Sequence, residues 1–289
     1  QFIQLLRDVI AIPAGWATSE SHFGFDLAAS SVVALLVAMV VIGRIERIGK
    51  LTVRLVPSMV LLYLFMTITV MVNYAADIPA TLLLIVTDAF TGAAAAGGSI
   101  GGVILIGVRR GAFSNEAGIG TESMAHGAAK TAEPIREGVV AMVGPVIDTL
   151  LVCTCTALII LLTGVWQTET GVTGVTLTAR AIEQVFPVMG MYLLLLMVGL
   201  LSFSTMVTMW FYGVKCMGFL LGADRQYWYT PIYLALLLAG AVVSMDIVNG
   251  LILATYATMA IPTMISALYL APKVNQTAKT YFARLDKGK

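Results

Sequence analysis

Long apolar runs broken by short polar stretches repeat along the whole chain. Seven windows consist mostly of Ala, Val, Ile, Leu, Met and aromatic residues: 27–43, 55–74, 80–108, 138–163, 187–214, 229–246 and 250–270. Each is long enough, at about 17 residues or more, to cross a hydrocarbon core of about 30 Å as helix. The ten-residue alternation of barrel strands is absent. The pattern predicts an all-α integral membrane protein with about seven transmembrane helices in a single transmembrane domain.

Composition agrees with this class, because 59% of residues are apolar and only 11% charged, far from soluble averages. Charge then sets an orientation. If 44–54 is cytoplasmic, 15 of the 17 Lys and Arg lie inside and only Arg7 and Arg180 outside, the bias expected of cytoplasmic loops. Residues 271–289 become a cytoplasmic tail. Trp16 and Trp166 fall near the outer interface, and Trp228, Tyr229 and Tyr269 near the inner one. The lipid bilayer is the expected surrounding partner, and a net charge of +1 carries no sign of nucleic-acid binding. Cys153, Cys155 and Cys216 lie in or beside spans, where thiols pack as small apolar groups. The chain opens on Gln1, and its first 26 residues hold neither a signal peptide nor a full span. An N-terminally truncated portion of a longer protein is expected.

The window 80–108 is too long for a straight crossing, at about 43 Å of helix. Its middle, Phe90 to Gly102, includes Thr91, Gly92, Gly97, Gly98, Gly101 and Gly102, and each glycine weakens helix by nearly ~1 kcal/mol relative to alanine. Unwound backbone at membrane depth is tolerated where it lines a cavity or is buried in protein. Such breaks hold substrate in secondary transporters. Close helix packing through small residues is the alternative reading.

Other polar residues interrupt the spans. Asp148 lies inside the fourth window, where a carboxylate is costly and faces a partner or water; a functional and a structural role are both open. The fifth window carries Ser202, Ser204, Thr205 and Thr208, hydroxyls that suit a hard cation or that bond back to the preceding turn. His22 and His126 fall in loops and receive no role.

The strongest motif is the polar island Arg109-Arg110-Gly111-Ala112-Phe113-Ser114-Asn115-Glu116-Ala117-Gly118-Ile119-Gly120. With Ala125–Thr131, Ile147-Asp148-Thr149, Phe203-Ser204-Thr205, Tyr212-Gly213 and Lys215-Cys216, it resembles the signature of the alanine or glycine:cation symporter family. The resemblance covers essentially the whole chain and aligns it with the later two-thirds of such a symporter.

That resemblance implies a partial leucine-transporter-type fold of two inverted repeats around a central site. It makes 80–108 a discontinuous sixth core span and places the protein in a bacterial or archaeal plasma (inner) membrane. The implied function is sodium-coupled uptake of alanine or glycine, without a cofactor, with proton coupling or a passive channel as alternatives. Thr91, Gly92, Gly97, Gly98, Thr205 and Met209 would hold substrate, and Ser204, Thr205 and Thr208 the cation. Arg110, Gly111, Ser114, Asn115, Glu116 and Gly118 would form a cytoplasmic gate motif, with Asp148 a buried polar residue. Two departures stand out: the family commonly has a small residue and then tryptophan where this chain has Thr208 and Met209, and Gly-Ser-Ala-Pro where it has Gly120-Thr121-Glu122-Ser123. An intramembrane protease is not indicated, since neither Gly-x-Ser-Gly with a membrane histidine nor Tyr-Asp with Gly-x-Gly-Asp is present.

Overall fold

A computed structural model describes residues 2–18, 22–42, 45–90, 107, 111, 116–168 and 174–287. All regular structure among the described residues is helical. In chain order, α1 (Phe2–Leu6) runs on as a π-helical turn, Arg7–Ala11, and is followed by α2 (Phe23–Val41), α3 (Ile45–Asn73), a 3-10 turn at Ala75–Asp77 and α4 (Ile78–Phe90). Next come α5 (Thr121–His126), α6 (Pro134–Pro145), a π-helical stretch Val146–Cys153, α7 (Thr154–Thr163), α8 (Val165–Thr168) and α9 (Val175–Val185). The chain ends with α10 (Met189–Leu221), a 3-10 segment Ala223–Trp228, α11 (Tyr229–Val242) and α12 (Met245–Lys287).

Five described helical stretches are long and apolar enough to cross a membrane: Phe23–Val41, Arg54–Asn73, Pro134–Thr163, Met189–Leu221 and Ile247–Asp286. They overlie the windows 27–43, 55–74, 138–163, 187–214 and 250–270. Of the window 80–108, only the part within α4 and Gly107 is described. The window 229–246 holds α11, 14 residues long, shorter than the roughly 20 needed to span. This helix stops because Val243 turns extended, at φ −80° and ψ 150°. At the other end of the chain, helix persists past 270, through the expected tail, to Lys287.

The chain divides into two compact units, Gln1–Phe90 with Cys155–Met245 and Thr91–Thr154 with Asp246–Lys289. In the first unit, α2 buries Asp26, Ser30, Ala34, Val37 and Val41, a stripe spaced by three and four that forms one helical face. Helix α10 buries Leu194, Val198, Ser204, Val207, Trp210 and Val214. Val37, Val41, Val207, Trp210 and Val214 make one cluster, against which Tyr229, Tyr233 and Leu237 of α11 pack. The Trp210 indole N–H donates to Thr230 Oγ1 at 3.1 Å, and the Tyr233 hydroxyl donates to the Met206 carbonyl at 2.7 Å. Tyr63 of α3 hydrogen-bonds to Thr156 of α7 through their hydroxyls.

The opposite faces stay apolar. Val32, Leu35, Leu36 and Met39 of α2, and Leu61, Phe65, Ile68 and Val72 of α3, are all exposed. Helices apolar all round suit a bilayer rather than water, and there close packing and hydrogen bonds hold neighbours together.

In the second unit, α12 presents Tyr256, Met259, Ala260 and Thr263 as a half-buried stripe. His126 Nδ1 lies 2.7 Å from Glu137 Oε1, tying α5 to α6. Arg284 near the end of α12 donates to Glu133 at 2.9 Å.

Candidate functional site

The described end of the polar island is a tight turn seated on α12. Glu116, Gly118 and Gly120 all have positive φ, at 55°, 86° and 107°. A glutamate in that region is strained, whereas glycine enters it freely. The backbone N–H groups of Gly118 and Gly120 donate to the two carboxylate oxygens of Glu122, at 3.0 and 3.1 Å. The Thr121 hydroxyl donates to Glu116 Oε2 at 2.7 Å, and the Tyr256 hydroxyl approaches Glu116 Oε1 at 3.4 Å. A Cβ on Gly120 would lie 2.8 Å from Thr263 Oγ1. Tyr256 and Thr263 are seven residues apart and share one face of α12. Glu116 is thus a carboxylate held by neutral hydroxyls, bonds that a rearranging element can break and remake.

Of the other expected gate residues, Gly111 is half-buried, while Arg110, Ser114 and Asn115 lie outside the described residues. Thr91, Gly92, Gly97 and Gly98 also lie outside them.

In the first unit, Ser204 and Thr208 stand one turn apart on α10. The Ser204 hydroxyl donates to the Leu201 carbonyl at 2.9 Å, and the Thr208 hydroxyl to the Ser204 carbonyl at 2.9 Å. Both protons bond back to the preceding turn, yet each oxygen keeps lone pairs that can accept a cation. Ser204 is buried, Thr205 exposed, and Thr208 and Met209 half-buried. Trp210 does not stand in for the tryptophan that the resemblance implies at position 209. A step of one residue rotates about 100° around the helix, and Trp210 points into the packed cluster with α2 and α11.

Asp148 is half-buried within the π-helical stretch Val146–Cys153. Pro145 directly precedes it; proline lacks the N–H that a regular helix would use there, and single π turns recur at functional sites.

Sequence reasoning missed one cluster of the first unit. Asp26, only 4% exposed, receives Arg7 Nη1 at 2.7 Å and His22 Nδ1 at 2.8 Å on the same oxygen, Oδ2. It adjoins a cavity of about 610 Å³. The four-residue spacing of His22 and Asp26 was visible, but Arg7 lies 19 positions from Asp26, with no helical periodicity in the sequence to link them.

These positions sit in a chain whose comparison with known families is decisive. A model of the sodium:alanine symporter family matches residues 11–289. The chain belongs to the sodium:alanine symporter family. The sodium/alanine symporter AgcS of Methanococcus maripaludis is 35% identical over 267 residues, covering 90% of this chain and 58% of AgcS. The probable sodium/glutamine symporter GlnT of Bacillus subtilis is 31% identical over 271 residues, covering 93% and 56%. YrbD of the same organism, whose name describes a candidate sodium/proton-dependent alanine carrier, is 31% identical over 208 residues, covering 68% and 43%. The chain spans about half the length of the curated relatives it matches, 58% and 54% in two of them. Sodium:alanine symporter family members are transporters rather than enzymes, which accords with the apolar helices of this chain.

Proposed function

We propose that this chain is the later part of a sodium-coupled symporter that carries a small neutral amino acid, alanine or glycine, into the cell. The family match over residues 11–289 carries the reading. On this reading the protein has a leucine-transporter-type fold in a bacterial or archaeal inner membrane, C-terminus inside. Window 80–108 is its broken sixth core span, and Thr91, Gly92, Gly97 and Gly98 line the substrate site with Thr205 and Met209. Ser204, Thr205 and Thr208 supply oxygens to sodium.

The Glu116 turn serves as part of the inner gate. Its support is the arrangement of a strained glutamate on hydroxyls from Thr121 and Tyr256. Sodium moving down its gradient supplies the work: one charge crossing 100 mV is worth about 2.3 kcal/mol before any concentration term.

Proton coupling is the second reading, favoured by the likeness to YrbD. Uptake of labelled alanine into proteoliposomes separates the two, using the protein as its gene encodes it. An inward sodium gradient at equal pH drives uptake on the first reading. An inward proton gradient without sodium drives it on the second.

A further inference from the structure

The turn that carries Glu116 is closed by a second glutamate, Glu122, which lies outside the gate motif of the sequence. Positive φ recurs at every other residue of this turn, 55° at Glu116, 86° at Gly118 and 107° at Gly120, while Ala117 and Ile119 between them stay out of that region. Such alternation turns neighbouring backbone N–H groups toward one side and makes a concavity for an anion. Here the anion is internal. The Gly118 and Gly120 N–H groups donate to Oε1 and Oε2 of Glu122, at 3.0 and 3.1 Å.

Those two bonds hold what the glycines cannot. Gly118 and Gly120 bring backbone close to α12, where a Cβ would lie 3.4 Å from Met264 Sδ and 2.8 Å from Thr263 Oγ1, but neither has a side chain to keep it there. Glu122 supplies the hold through their N–H groups, and bonds to a carboxylate are the stronger kind. Glu116 depends on the same turn. Its carbonyl accepts from the Ile119 N–H at 3.3 Å, so its backbone is tied to the residue between the two amides that Glu122 binds. Its side chain then meets the hydroxyls of Thr121 and Tyr256. Among the described residues no Lys or Arg pairs with either glutamate. Two amides and two hydroxyls hold both carboxylates.

We propose that Glu122 is a positioning residue of the inner gate: its carboxylate fills the concavity of the Gly118 and Gly120 amides and thereby holds Glu116 against Thr121 and Tyr256. The proposal rests on the reading of the Glu116 turn as part of that gate, and separate readouts tell a failure of one from a failure of the other.

The test uses the protein as its gene encodes it, in detergent for thermal unfolding and in proteoliposomes for alanine uptake. Glu122→Gln keeps the size and one acceptor oxygen of the side chain but turns an NH2 group toward the second backbone N–H. Tm is measured for Glu122→Gln, Glu116→Gln and the double variant. Positioning predicts that the double variant loses no more than the larger single loss, because both changes break one network; losses that add overturn the proposal. For uptake per folded transporter, Glu122→Gln is expected to lower Vmax about threefold or more and leave KM within about twofold, since its bonds go to the turn alone. If Glu116→Gln lowers Vmax and Glu122→Gln does not, the role of Glu122 is overturned and the gate reading stands. If neither lowers it, the gate reading falls and the proposal with it. Should Glu122→Gln not survive purification, Glu122→Asp takes its place, because it keeps the charge and, one methylene shorter, cannot span both amides; the same outcomes decide.

Discussion

Thr121 donates its hydroxyl to Glu116 at 2.7 Å, from the first residue of α5 back to a glutamate held at φ 55°. The bond fixes a strained residue at the point where the polar island turns onto α12. Hydrogen bonds to charged groups are worth about 1.5–3 kcal/mol, comparable to the cost of a left-handed residue, about 1–2 kcal/mol. The bond is thus of the size needed to offset the strain of that residue.

Glu116→Ala removes the acceptor and keeps the strain. Initial rates of alanine uptake are expected to fall about tenfold or more, the equivalent of about 1.4 kcal/mol. Tyr256→Phe removes only the longer contact and is expected to lower the rate less than threefold. Normal uptake by Glu116→Ala removes Glu116 from the gate.

Gly120→Ala meets two penalties. Its Cβ would press on Thr263 Oγ1 at 2.8 Å, and its φ of 107° disfavours any side chain. A loss of about 2 kcal/mol or more is expected in thermal unfolding in detergent. Adding Thr263→Ala should recover only part of it, since the backbone penalty remains. Full recovery would show that contact with Thr263 was the whole cost.

Trp210 separates packing from hydrogen bonding. Trp210→Ala empties the cluster with α2 and α11 and is expected to cost about 3–5 kcal/mol. Trp210→Phe mainly loses the donor to Thr230 and is expected to cost about 1 kcal/mol. Thermal unfolding of both variants checks the ratio, and equal losses would contradict the assigned bond.

The apolar windows are legible in sequence because each helix must be apolar for its own length, whatever it packs against. That is why the windows 27–43 and 187–214, which hold α2 and α10, stand out. Contacts between distant residues leave no such trace. Glu116 meets Tyr256 across 140 positions, and Arg7 meets Asp26 across 19. Hydropathy also misplaces helix ends, as at α11, which stops at Val242, and α12, which runs past the apolar run to Lys287. The motif residues were readable as a set, and the bond of Ser204 back to the preceding turn was one of the two readings its position left open, but the hydrogen bonds that hold Glu116 were not readable.

Met209 stands where the resemblance implies tryptophan. If it walls the substrate site, Met209→Trp is expected to cut uptake of a larger neutral amino acid such as glutamine at least tenfold and leave alanine uptake within threefold. Competition against labelled alanine reads the ratio, and an unaltered ratio removes Met209 from the pocket.

Coupling itself is tested most directly by running it in reverse order. Proteoliposomes holding the protein as its gene encodes it are equilibrated with labelled sodium at equal concentration on both sides, and alanine is then added outside. A symporter must drive sodium uphill, because coupling between the two ligands is reciprocal, so labelled sodium should rise transiently above its equilibrium level. Sodium content indifferent to alanine would contradict the account.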